Sequence, residues 1–288
     1  MVSMNKLTKE ERVRVISALV EGNSIRATVR MTGTAKNTVA KLLADIGQAC
    51  ERYHDKVMVN LPCKRLQVDE IWSLCYAKAK NVPEEHLGEF GYGDVWTWVA
   101  IDADTKLVPQ WLVGLRSAEW ANAFISDLAY RLTNRVQLTS DGLKAYLNAV
   151  EEAFGGEVDY ATLVKLYGPE KSEVCEPVAA HTYSPGQVTG CQLSVIQGNP
   201  DPRHISTSYV ERQNLTMRMS MRRFTRLTNG FSKKVENLGY AVALHFMHYN
   251  FCRIHQTLRM TPAMAAGVSD HVWELDELVD LIDSQDSN

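Results

Sequence analysis

Three acidic residues stand out by their surroundings: Asp69 in Val68-Asp69-Glu70-Ile71-Trp72-Ser73, Asp141 in Thr139-Ser140-Asp141-Gly142, and Glu211 in Ser208-Tyr209-Val210-Glu211-Arg212-Gln213-Asn214. Carboxylates brought to one point repel one another unless cations lie between them. Two divalent ions, Mg2+ or Mn2+, roughly 4 Å apart solve that problem, and one can activate a water or a 3′-hydroxyl for attack on a phosphodiester. Glu211 is followed by a run of arginines reaching Arg226, with no glycine or proline to break a helix. At about 3.6 residues per turn, Glu211, Asn214, Leu215, Arg218 and Arg222 share one helical face, which sets a metal ligand beside phosphate-binding cations. Plainer readings exist for each. The basic helix could be a solvated surface, Asp141 before Gly142 a turn former, and Asp69 beside Glu70 an exposed edge acid. Asp94, Asp102 and Asp104 are rival carboxylates, Asp102 foremost because a one-residue register shift decides its face.

The elements that would position these residues can be read in order. Arg65–Tyr76 and Val95–Asp102 are strands by their β-branched and aromatic content, and Asp104-Thr105-Lys106 is a tight turn into a third strand, Leu107–Gly114. Ser117–Leu132 is an amphipathic helix, Val136–Gly142 a short buried strand ending in Asp141, and Leu143–Phe154 another helix. Three strands, helix, strand, helix is the order of a ribonuclease-H-like core, an α/β mixed sheet flanked by helices. Its first and fourth strands lie side by side, which would bring Asp69 close to Asp141, with Glu211 delivered by the later helix. Phe231–Cys252 is predicted as one largely apolar helix, and Val272–Ile282 as a short acidic one.

Ahead of this core, Leu7–Glu21, Ser24–Arg30 and Ala35–Ile46 have helical periodicity, with Thr8 as N-cap, Gly22 as a stop and a turn at Met31-Thr32-Gly33-Thr34. That is the pattern of a small all-α helix-turn-helix, whose third helix would turn Lys36, Asn37 and Lys41 towards DNA. A helical hairpin that only dimerises is the alternative. The chain divides on this basis into a DNA-binding unit (1–50), a linker (51–64), a catalytic unit (65–267, with an insertion at about 155–204) and an acidic tail (268–288).

The 288 residues carry a net charge of −3, but the sum conceals a segregation. Arg203–Lys234 holds eight Lys/Arg against the single Glu211, whereas Asp270–Asn288 holds seven Asp/Glu and no Lys or Arg. Nucleic-acid affinity follows the local patch. No apolar run approaches bilayer-spanning length, the first residues lack a signal-peptide pattern, and six scattered cysteines without a CxxC pair fit a reducing, cytoplasmic setting. Cys50, His54 and Cys63, or Cys175, His181, Cys191 and His204, have spacings that match no zinc motif.

The three acidic motifs, in order on their elements, resemble those of the DDE transposases, specifically the IS1-like insertion-sequence transposases. Tyr249–Gly267 is similar to the tail that often follows integrase-like cores, so the likeness runs from about Leu66 to Gly267. The resemblance implies that Asp69, Asp141 and Glu211 are the catalytic triad and hold two Mg2+ (or Mn2+) ions. It also implies that Arg218, with Arg222 and Arg223, meets DNA phosphates. The expected activity is cleavage at insertion-sequence ends and transfer of the 3′-hydroxyl to target DNA by a bacterial, nucleoid-associated enzyme. Its partner is double-stranded DNA, and the protein would act as a homodimer or higher oligomer on that DNA. The chain departs from the family in its long gap between Asp141 and Glu211 and in lacking the zinc finger found in part of the IS1-like group. Two other readings stay open: a metal-dependent nuclease that cuts without joining, and a non-catalytic helix-turn-helix DNA-binding protein.

Overall fold

The computed structural model describes residues 7–167, 188–225 and 228–284. Its centre is a six-stranded sheet in the order β3-β2-β1-β4-β5-β6. The strands are β1 (Arg65–Cys75), β2 (Gly93–Asp102), β3 (Gln110–Gly114), β4 (Val136–Ser140), β5 (Val158–Tyr167) and β6 (Val188–Gln197). β1 pairs antiparallel with β2 and parallel with β4, as the expected ribonuclease-H-like arrangement requires. β1 is therefore a central strand, so Asp69 is not an exposed edge acid: it is half-buried, and Glu70 beside it is buried.

Helices α4 (Ala118–Tyr130) and α5 (Ala145–Phe154) cover one face, where the Trp98 ring meets Phe124 at 6.0 Å and Tyr146 at 5.4 Å. Helix α6 (Ser208–Ser220) packs on β1 and β2. It is followed by α7 (Val235–Met247), whose end widens into a π-helical turn at His248–Cys252, and by the short α8 (Pro262–Ala265) and α9 (Leu275–Asp283).

The N-terminal segment folds as α1 (Lys9–Val20), α2 (Ile25–Thr32) and α3 (Lys36–Val57). Thr8 caps α1 through a reciprocal pair with Glu11, Ser24 caps α2, and Gly33 ends α2 in the left-handed conformation at φ 72°. α3 runs eleven residues past the expected stop at Ile46, because Ala49, Cys50 and His54 continue its buried stripe. It lies against α7 so closely that a Cβ on Gly47 would sit 2.4 Å from the Tyr240 Cβ. The acidic helix α9 returns to the same assembly: Lys9 pairs with Asp280 at 2.6 Å, and the Arg12 guanidinium donates to both Asp283 oxygens at 2.8 Å.

The insertion at about 155–204 contributes β5 and β6, an antiparallel hairpin extending the sheet. Residues 168–187, with Cys175 and His181, lie outside the described residues. One further expectation fails: the arginine run does not continue one helix. Met221 is extended (φ −128°, ψ 110°) and a 3-10 turn follows at Arg222–Phe224, because burying Met221 and Phe224 in the core draws the chain off the helical path. Arg222 therefore leaves the face shared by Glu211 and Arg218.

Candidate active site

The parallel register joins Arg65 to Gln137, Leu66 to Leu138 and Gln67 to Thr139. Two residues further along each strand direction come Asp69 and Asp141. Strand alternation sends neighbouring side chains to opposite faces. Asp69 faces α6, where the Asn214 side-chain amide donates to its Oδ2 at 2.8 Å. Glu70 faces α5, where it accepts the Tyr146 hydroxyl at 3.1 Å, and it also accepts the Arg116 Nε at 2.6 Å. Asp141 lies just past the end of β4, and one oxygen of each of Asp69, Glu70 and Asp141 falls within 4.8 Å of the others. Among the described residues, this is the group of acidic, His or Cys side chains that converges in this way.

Helix α6 is fixed over this point by an unusual cap. The buried Gln67 side chain accepts the backbone N–H groups of Tyr209 (2.8 Å) and Val210 (3.1 Å), occupying two donors that a helix start leaves free. Glu211, one turn in, is held by the Thr207 hydroxyl at 2.7 Å and by an ion pair with Lys165 of β5. Its charge is felt at Asp69, but its oxygens are outside the three-carboxylate group.

Burial pushes the Asp69 carboxyl up to about 7, with the charges of Glu70, Asp141 and Glu211 adding to the effect. Glu70 is also raised, by burial and then by Asp141, against the lowering influence of Arg116. Burial raises the Tyr146 phenol too, so it stays a hydrogen-bond donor to Glu70. A hard divalent cation fits this donor set. The oxygens are carboxylates, Arg116 is the cation paired with one of them, Glu70, and the Oδ1 of Asn214, whose amide already touches Asp69, is buried with no hydrogen-bond partner. Asp69, Glu70 and Asp141 could hold such an ion directly, with Asn214 and Glu211 within the same face.

The rival acids have other duties. Asp102 is buried and accepts the Thr105 backbone N–H at 3.1 Å and the Thr105 hydroxyl at 2.6 Å, which stabilises the β2–β3 turn. Asp104 pairs with Arg65, and Asp94 is exposed.

Of the cations expected to contact DNA, Lys36, Arg222 and Arg223 lie around one cavity away from the carboxylates, and Lys41 and Arg218 lie outside it. Lys36 and Asn37 are exposed at the start of α3, and Lys41 forms an ion pair with Asp45 at 2.6 Å. Arg218 is half-buried on α6, Arg222 is exposed, and Arg223 is half-buried and donates to the Ser232 hydroxyl. Sequence reading missed Glu70 as a member of the acidic group, and Gln67 and Lys165 as its supports. Only the adjacency of Glu70 to Asp69 could have signalled the first.

No protein-family model matches the chain, and no curated protein sequence matches it. Among solved structures, a piggyBac transposase synaptic complex with hairpin DNA aligns over 99% of this chain and 73% of that one, at 12% identity and a TM-score of 0.40.

Proposed function

We propose that the chain is a DDE transposase of the IS1-like kind, which binds insertion-sequence ends, cuts them and joins the freed 3′-hydroxyl to target DNA. The observation that carries this reading is the arrival of Asp69 and Asp141 at one point from adjacent parallel strands, with the helix bearing Glu211 pinned above it by Gln67 and Asn214. Asp69, Asp141 and Glu211 are assigned the catalytic and metal-binding roles, and Glu70 is added as a carboxylate facing the same ions. Bound Mg2+ or Mn2+ would supply Lewis-acid activation of the attacking oxygen and neutralise charge on the leaving one. The protein's own contribution is placement. Asn214 orients the Asp69 carboxylate, and Arg116 and Tyr146 fix Glu70. Lys165 and Thr207 hold Glu211 at the rim. The N-terminal helices are assigned to recognition of the DNA ends, through Lys36 and Asn37.

The test uses purified full-length protein, Mg2+ or Mn2+, and DNA flanking its own reading frame, with the products resolved on a sequencing gel. Cleaved ends joined to a second DNA, lost in Asp69→Ala, Asp141→Ala and Glu211→Ala, are the expected outcome. Cleavage without joined products would make the protein a nuclease. Binding without cleavage, unchanged in the three variants, would make it a non-catalytic DNA-binding protein.

A further inference from the structure

Away from the carboxylates, a cavity of about 540 Å³ opens where the α1–α2 turn meets the segment leaving α6. Its size lies within the roughly 300–1,000 Å³ range of small-molecule sites. Five cations line it: Arg26 at the start of α2, Lys36 at the start of α3, Arg222 and Arg223 after α6, and Lys233 before α7. No Asp or Glu is among its lining residues, and none of the five forms an ion pair among the described residues. The floor is apolar, from Leu19, Ile25, Phe231 and Leu244.

Three features distinguish this from a packing gap. Like charges from separate elements face one space with no acid between them, an arrangement that costs free energy until an anion enters. The Arg223 guanidinium is driven down to about 10 by burial and has a neutral partner, the Ser232 hydroxyl. A desolvated cation without a counter-charge is costly and is relieved by a phosphate, which the guanidinium fork can bind through two oxygens. The cavity also receives the start of α2, an eight-residue helix whose Asn23, Ser24, Ile25 and Arg26 line it; the Ser24 hydroxyl accepts the Ala27 amide, and the amides of Ile25 and Arg26 have no intrahelical acceptor. Gly22 closes one end. At φ +77° it lets the turn approach so near that a Cβ there would lie 2.8 Å from the Ser220 carbonyl oxygen.

We propose that this cavity seats one phosphate-bearing nucleotide, its phosphate held by Arg26, Lys36, Arg222 and Arg223 and its base laid on the apolar floor. The nucleotide is either free or one unit of a DNA strand. The site stands apart from the acidic group, needs no divalent ion, and does not depend on the transposase reading. It joins two sets of cations, on α3 and after α6, that lie in distant parts of the sequence.

The experiment is run in EDTA. Binding of deoxyadenosine monophosphate is followed by calorimetry, and binding of a fluorescein-labelled single strand of about twelve nucleotides by anisotropy. The paired variant Lys36→Glu/Arg222→Glu changes two exposed side chains and is compared with Lys78→Glu/Lys80→Glu, an exposed pair of equal charge elsewhere, with melting temperature as a check on folding. A loss of at least about tenfold confined to the first pair is expected. If mononucleotide and strand both lose affinity, the site takes nucleotides in general; if the strand alone does, the site serves DNA. Absence of binding by both probes, or equal losses in the two variant pairs, would overturn the proposal. Asp69→Ala retains this binding whether or not the protein cleaves DNA, so failure of the catalytic reading leaves the result interpretable.

Discussion

Glu70 has almost no exposed side-chain surface, so Arg116 and Tyr146 must replace the water it lost on folding. Glu70→Ala strips the Arg116 and Tyr146 donors of their acceptor, and a loss of about 2–3 kcal/mol in urea denaturation is expected. At the other side of the group, Lys165 competes with any cation for Glu211. Lys165→Ala is therefore expected to tighten Mn2+ binding several-fold by calorimetry; unchanged affinity would place Glu211 beyond reach of the ion. The meeting of Asp69 and Asp141 was legible because each sits in a distinctive motif on a recognisable strand. Glu70 was not, because alternation on a strand argues against adjacent residues serving one site. Only the position of Asp141 beyond the end of β4 brings the two faces together.

At the scale of elements, strand and helix order was readable through α5, since hydrophobic periodicity and turn residues mark each boundary. What escaped was decided by contacts distant in sequence. Nothing local in Met221-Arg222-Arg223-Phe224 stops a helix; the burial of Met221 and Phe224 does. β6 has mostly exposed side chains and therefore lacks the apolar alternation that announces a strand, and its pairing with β5 defines it. Gln67 shows the same dependence, since a buried glutamine on a central strand finds its role only when α6 arrives above it. Gln67→Leu keeps approximate volume but strips the Tyr209 and Val210 amides of their acceptor. A loss of about 1–2 kcal/mol is expected, read by thermal melting.

Over the whole molecule, the N-terminal helices and the sheet are knitted together through α3. Arg131 donates to the Met58 carbonyl at 3.2 Å and to Asp55 at 2.7 Å, which ties the end of α3 to α4. The His54 imidazole and this guanidinium hold the Asp55 carboxyl down at about 2. A depressed carboxyl stabilises the fold above its unfolded value near 3.9 and loses that contribution as pH falls through the folded value. The stability gap between the protein and Asp55→Asn should therefore be present at pH 6 and close between about pH 4 and 2. Because the Asp55 side chain is 67% exposed, screening limits that gap to about 1 kcal/mol. Gly47→Ala tests the same seam sterically. The added methyl meets Tyr240 at 2.4 Å, and a loss of about 1–3 kcal/mol is expected in chemical denaturation.

The clasp between Arg12 and Asp283 joins residues 271 positions apart, so α1 is fastened by α9. At about 5–20 residues per second, a ribosome would take roughly 14–54 s to synthesise that interval. Throughout that time α1 lacks the acidic partners that α9 brings to Lys9 and Arg12. The arrival of α9 thus sets the moment at which α1 meets its acidic partners.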